Sequence, residues 1–349
     1  MDSENMVSAF QDDSLGNDDA VEIAEKIKKG ELSASLVTQD AVKRAMAVNS
    51  KLNAIAVENF DSAKANSEKS FAGFFQGVPT FIKDTDEVPG LPLYLGSRSL
   101  PGEPSDKYSK AAKQIIDTGL NCLGTTTTPE FGLTGTTESL RFGATCNPWN
   151  PAFSTGGSSG GSSALVAAGV VPIAHANDGA GSIRIPASCC GLVGLKASRG
   201  RIKDKEVPGY LPANILHDGV VTRSVRDTWA FHAEIEKNIP AKEYPAIGNI
   251  SGSFPEKLKI AVLTENCLGE DSSAELVQAT HDVAKLCDSL GHKIEMISNP
   301  FYRKFDEDFW LLWAHFGFLI RYSVGKELST KFDHTQLEQW PQYLIVRHW

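Results

Sequence analysis

A chain of 349 residues, 41% hydrophobic and 22% charged, can bury a large core and has the balance of a globular protein. Its net charge of −9 argues against a nucleic-acid backbone as the main partner. The acidic start, MDSENMVSAFQDDS, lacks the basic and apolar regions of a secretory signal, and no apolar run reaches the length of a membrane span, so the expectation is a cytoplasmic protein.

In chain order, residues 1–16 read as disordered. Residues 18–29 read as a short amphipathic helix that stops at Gly30. Ser33 caps the next helix, which carries Val37, Ala41, Ala45 and Val48 on one face. A strand over 53–57 and a helix over 61–69 follow. The run VPTFIKD, 78–84, is an apolar strand that delivers Lys83 to its end. Judged by itself, such a lysine is most often solvent-exposed. GTTTTPEF, 124–131, and GATCNPWN, 143–150, read as structural segments, with Trp149 as a packing anchor.

The stretch from Thr155 to Lys196 organises the chain. Clusters of serine and glycine around Ser158 and Ser182 flank a helical run, 164–168, and a strand-like run, 170–174. Small residues let backbone approach backbone or a ligand closely. Two serines on such turns, fixed by a packed helix and strand, read as a reaction centre. His175 with Asp178 leaves a Ser-His-Asp arrangement open. Cys190 is a further candidate nucleophile, although apolar surroundings favour an inert thiol. The six cysteines lack CxxC or zinc-ligand spacing. Adjacent Cys189 and Cys190, read on extended backbone, point apart and predict no mutual disulfide.

Further on, Ser224 and Asp227 form a capping-box variant for a helix running toward Glu236. Residues 257–298 read as strand, helix and strand, a parallel unit with Leu276, Val277, Val283 and Leu286 on the buried side of its helix. Residues 309–322 are apolar nearly all round, which predicts a buried helix.

The order GGSSGG (156–161), D-x-A-G-S-I-R-x-P (178–186) and C-G-x-x-G-L-K (190–196) resembles the amidase signature family. The wording N-D-x-A-G-S-x-R-I-P-A-S is similar to the branch containing 6-aminohexanoate cyclic-dimer hydrolase. Gly77, Pro79, Lys83 and Asp84 fit the family's G-x-P-x-x-x-K-D segment. The intervals from Lys83 to Ser158 and on to Ser182 fit its lysine–serine–serine triad. Departures are Ala180 for the first turn glycine, Thr125 and Thr127 for a lysine and an asparagine, and Ala197 for a proline. The chain also ends at Trp349, earlier than family members.

The resemblance implies an α/β fold, a large mixed β-sheet covered by helices on both faces, incomplete at its C-terminal end. It implies one amidase domain over 17–349 with the signature core at about 78–202. Ser182 would be the nucleophile, Lys83 the base as a neutral amine, and Ser158 the proton relay, following a cis peptide at Gly157–Ser158. Backbone N–H groups of Gly179, Ala180, Gly181 and Ser182 would form the oxyanion hole. Alanine at 180 would be strained if that position needs positive φ. Ser159 would support the site by a hydrogen bond to the relay, and Asp178 and Arg184 would brace the turn. Trp310, Trp313, His315 and Phe316 are candidates for the wall of the acyl pocket. The implied partner is a small amide, and no metal or organic cofactor is indicated. A homo-oligomer stays open, as do two other functions: a catalytically impaired or interaction module built on an incomplete fold, and the amidase subunit of a tRNA-dependent amidotransferase.

Overall fold

The computed structural model describes residues 5–202, 214–238, 244–248, 250, 256–302, 304–327 and 331–347. The chain divides into two compact units. The first takes residues 1–250 with 323–341, and the second takes 251–322 with 342–349.

The first unit opens with α1 (Ala20–Lys28) and α2 (Ala34–Leu52). Asp19 caps α1 by accepting the Glu22 N–H at 2.9 Å, and Ser33 caps α2 by accepting the Leu36 N–H at 3.1 Å. Helix α2 buries Val37, Ala41, Ala45 and Val48, the expected face. Next come β1 (Ile55–Glu58), α3 (Phe60–Ser67), β2 (Pro79–Lys83), α4 (Lys110–Ile116) and β3 (Asn121–Thr126). Strand β3 is central, antiparallel to β1 and parallel to β2. Two short antiparallel pairs follow: β4 (Glu138–Ser139) with β5 (Gly143–Ala144), and β6 (Cys146–Asn147) with β7 (Asn150–Ser154).

The serine-rich stretch supplies α5 (Gly160–Ala167), β8 (Ile173–Asp178), α6 (Arg184–Cys190) and β9 (Val193–Gly194). Strand β10 (His217–Thr222) and α7 (Val225–Asn238) complete the set. Strand β10 lies between β8 and β9 and is antiparallel to both. Side chains join β8 to β2. The Thr80 hydroxyl donates to the Ile173 carbonyl at 2.9 Å, and the Lys83 N–H donates to His175 Nδ1 at 3.1 Å. The result is the expected α/β class, with parallel and antiparallel pairs.

Strand β8 begins later than the 170–174 run suggested and continues to Asp178. The Val170 N–H still donates to the Leu165 carbonyl at the end of α5, and Pro172 has no N–H for a ladder. Cys189 and Cys190 sit on helix α6 rather than on extended backbone, and both are free.

Residues 5–16, expected to be disordered, are packed. The Val7 and Ala9 N–H groups donate to the Pro148 and Ala168 carbonyls, and Val7, Ala9 and Leu15 are buried. Arg44 on α2 anchors the segment through Asp13 Oδ1 and Oδ2 and the carbonyls of Gln11 and Gly16. An acidic composition hid a single carboxylate matched to a buried guanidinium.

In the second unit β11 (Lys259–Val262), α8 (Ala274–Ser289) and β12 (Lys293–Met296) form the expected parallel unit, as a two-stranded sheet of its own. The face of α8 is corrected. Ala284 is its buried residue, Val277 is half-buried, and Leu276, Val283 and Leu286 are about three-fifths exposed at 60%, 61% and 58%. Helix α9 (Phe305–Glu327), expected to be buried, is mostly half-exposed and buries Ala314 and Gly317. Small residues permit that contact, since a Cβ at Gly317 would meet the Leu344 side chain of α10 (Gln339–Arg347) at 2.6 Å. Among the described residues, no helix is long and apolar enough to cross a membrane.

Candidate active site

Every residue of β2 is buried, so the strand carries Lys83 inward. Ser158 arrives on the turn before α5, after a cis Gly157–Ser158 peptide as expected. A Cβ at Gly157 would lie 2.5 Å from the Thr136 carbonyl oxygen, so that position takes glycine. The Thr128 hydroxyl holds the Ser158 carbonyl at 3.0 Å. These constraints place Lys83 Nζ 2.6 Å from Ser158 Oγ. Lys83 and Ser158 are therefore in direct hydrogen-bond contact, both out of water.

Ser182 lies on the turn between β8 and α6, at 8% exposure. Asp178 shapes that turn. Its carboxylate accepts the Gly181 N–H at 2.7 Å, the Ile183 N–H at 3.2 Å and two guanidinium N–H groups of Arg184 at 2.9 Å each. Burial would raise the Asp178 carboxyl, but the bonds from Arg184 and the backbone hold it below the ordinary carboxylate range. Asp178 thus ties Arg184 and the backbone of Gly181 and Ile183 together around Ser182.

The oxyanion-hole expectation changes in one respect. The Gly181 N–H is committed to Asp178, leaving the N–H groups of Gly179, Ala180 and Ser182 as candidate donors. Gly181 has φ +123°, and Ala180 is outside the left-handed region, so alanine at 180 brings no backbone strain. Ser159 also differs from expectation. Its hydroxyl engages the carbonyl and N–H of Asn177, at 3.3 and 3.4 Å, instead of the relay.

Glu130 of the Pro-Glu-Phe segment braces loops as expected. It accepts the Ser97 hydroxyl at 2.5 Å and the Glu338 N–H at 2.8 Å. Trp149 is half-exposed, yet its indole N–H is tied to the Cys190 carbonyl at 2.8 Å. Burial pushes the Cys190 thiol up to about 12, which keeps it protonated and inert. Trp310, Trp313, His315 and Phe316 belong to α9. Within that helix Trp310 and Trp313 pack on Phe309, and Trp313 on Phe316.

His175 does not pair with Asp178. Its Nδ1 accepts the Lys83 backbone N–H, so in the neutral ring Nε2 carries the hydrogen, and Asp218 Oδ1 stands 3.2 Å away to receive it. With Asp86, these residues make a buried cluster whose composition could hold a metal ion. The tautomer tells against that use, because a metal at Nε2 would have to displace the proton already directed at Asp218.

One site residue, Asn177, escapes the sequence reading, which places His175 in a different role. Asn177 Oδ1 lies 2.6 Å from Lys83 Nζ, and His175 holds the lysine's backbone. The available signal was the alternation His175-x-Asn177 leading into Asp178, which places both side chains on one face of a strand.

The chain is similar to known proteins over most of its length. A family model described as Amidase matches residues 36–342. A putative amidase, AmiC, of Mycobacterium tuberculosis is 43% identical over 336 residues, which cover 95% of this chain and 71% of that one. The 6-aminohexanoate-cyclic-dimer hydrolase of Paenarthrobacter ureafaciens is 37% identical over 293 residues, 79% of this chain and 58% of the relative. Among solved structures, a 6-aminohexanoate cyclic dimer hydrolase complexed with substrate superposes with TM-score 0.82 at 31% identity, covering 95% of this chain and 71% of that one. A bacterial aryl acylamidase of the amidase signature family gives TM-score 0.82 at 27% identity, covering 95% and 72%.

Proposed function

The chain belongs to the amidase signature family, whose members are hydrolases of amide C–N bonds, and from that premise we propose a serine amidase that cleaves a small linear or cyclic carboxamide through an acyl-enzyme on Ser182. The observation that carries this reading is the buried 2.6 Å contact between Lys83 Nζ and Ser158 Oγ. A serine hydroxyl is a weak nucleophile until a base takes its proton. Sequestration from water disfavours a charged ammonium, which suits lysine as a neutral base.

In the proposed sequence, Ser182 Oγ attacks the carbonyl carbon while its proton passes to Ser158. The Ser158 proton passes in turn to Lys83 Nζ. The tetrahedral oxyanion is held by backbone N–H groups from Gly179, Ala180 and Ser182. Removing one such donor from other enzymes costs about 2.7–4 kcal/mol in the barrier. The amine leaves with a proton returned through Ser158, and an ester remains on Ser182. Water then attacks the ester, its proton passing through Ser158 to Lys83, and return of that proton to Ser182 Oγ as the ester C–O bond breaks releases the acid. No step calls for a metal or organic cofactor. The free thiols support a cytoplasmic setting.

The test is a fluorophosphonate probe on the purified chain, beside a screen of amides that includes 6-aminohexanoate cyclic dimer. Ser182 should be phosphonylated, and Ser182→Ala should abolish labelling and turnover together. Lys83→Ala should slow acylation by about 10²–10⁴-fold in folded protein. Labelling at another residue, or unchanged turnover without Lys83, would reject these roles.

A further inference from the structure

Resting on that reading, we propose that a hydrogen-bond chain running from Asp86 through Thr85 to Asn177 positions Lys83 for proton transfer, with Asn177 as the positioning residue. The direction of each bond follows from the donors available. A carboxylate only accepts. Asp86 Oδ1 receives the Ser109 hydroxyl at 2.6 Å, and Oδ2 receives the Thr85 hydroxyl at 3.0 Å. With its hydrogen directed at Asp86, Thr85 Oγ1 accepts from Asn177 Nδ2 at 2.7 Å. The amide is thereby turned so that Oδ1 faces Lys83 Nζ, at 2.6 Å.

The consequence falls on the amine. A neutral lysine head has two N–H bonds and one lone pair. An oxygen that can only accept engages one N–H and leaves the lone pair for another neighbour, and Ser158 Oγ stands 2.6 Å from the nitrogen. An amide reversed at this place would present N–H groups and compete with Ser158 for the lone pair. The same strand also grips the lysine further back. His175, two residues before Asn177 and on the same face of β8, accepts the Lys83 backbone N–H at 3.1 Å. Strand β8 thus holds both the backbone and the head of Lys83, and Asp86 sets the polarity.

The experiment measures phosphonylation of Ser182 by a fluorophosphonate, resolving kinact from KI, with the unfolding midpoint of each variant as a folding control. Thr85→Val keeps the shape and removes the hydroxyl; Asn177→Leu does the same to the amide; Thr85→Ser restores the hydroxyl. The expected result is a kinact at least about tenfold lower in Thr85→Val and Asn177→Leu, KI within about threefold, and Thr85→Ser within about threefold of wild type. A purely structural role would lower the labelled fraction or the midpoint and leave kinact of the folded fraction unchanged. The inference is overturned by unchanged kinact in folded Thr85→Val, or by Thr85→Ser being as slow as Thr85→Val. Should Asn177→Leu not fold, the Thr85 pair decides. Wild-type protein that does not label at Ser182 overturns the nucleophile assignment first, and this inference with it.

Discussion

Gly181 and Ala180 are neighbours under opposite constraints. Gly181 holds φ +123°, and a Cβ there would meet the Ile185 side chain at 2.7 Å. Ala180 is free of both demands on its backbone, which explains how the turn accepts alanine where the family has glycine. Gly181→Ala should therefore slow phosphonylation of Ser182 by at least about tenfold, because the turn that presents Ser182, the proposed nucleophile, must shift. Ala180→Gly should leave the rate within about threefold, since the N–H is retained and only the chain's freedom changes. Comparing the two labelling rates decides the matter. Equal losses in both variants would show that the side chain at 180, not the backbone, sets the turn.

Elements of this fold are tied to one another by buried charges at their ends. Asp227, on the first turn of α7, accepts the Ala20 and Val21 N–H groups at 3.0 and 2.9 Å, so it also caps α1. Ser224 keeps the capping role expected of it, accepting the Asp227 N–H at 3.1 Å. Arg44 does the larger joining. It bonds Asp13, the Gly16 carbonyl and, at 2.6 Å, the Gly169 carbonyl after α5. Its side chain is 1% exposed, so removing the guanidinium strands the part-buried Asp13 carboxylate and several carbonyls. Arg44→Met should cost about 3–5 kcal/mol in urea unfolding. It should also open residues 5–16 to limited proteolysis under native conditions. A change below about 0.5 kcal/mol with no new cleavage would remove the anchor from the account.

For the whole molecule, the buried carboxyls set an unusual pH dependence. Burial pushes Asp84 and Glu130 up to about 7 and Asp227 up to about 6. A raised carboxyl makes the folded state hold a proton that the unfolded state would release. Its contribution is therefore fully present below the unfolded value near 4, and is lost as pH rises through the folded value. His232, which burial pushes down to about 4, acts in the opposite sense: stability is lost as pH falls below its unfolded value near 6.5. Among the described residues, each of these carboxyls contributes a loss of stability as pH rises from 5 toward its folded value, and the imidazole contributes a gain that ends near pH 6.5. Urea unfolding from pH 5 to pH 8 should therefore carry a falling component from Asp84. Asp84→Asn should make that slope shallower by up to about 1.4 kcal/mol per pH unit. An unchanged slope would mean that Asp84 is ionised in the fold throughout this range.

The fold class was legible in the chain because a catalytic turn needs particular residues in a particular local order. Gly156 to Gly161 and Asp178 to Pro186 are such local requirements, and so the contact between Lys83 and Ser158 was foreseen. The exposed stripe of α8 was not, because Leu276, Val283 and Leu286 recur at helical spacing whether or not anything lies against them. Partner identity at long range was hidden for the same reason. Nothing in the letters at 85, 86 and 177 says that they form one chain of hydrogen bonds to the lysine head, that Asp227 reaches the start of α1, or that Asp178 claims the Gly181 N–H. By itself the sequence determined the candidate side chains for reaction and the turns that carry them. Only the tertiary structure decided which acceptor each donor met, because hydrogen bonds depend on distance and direction in space, and residues far apart along the chain acquire both only when the sheets close.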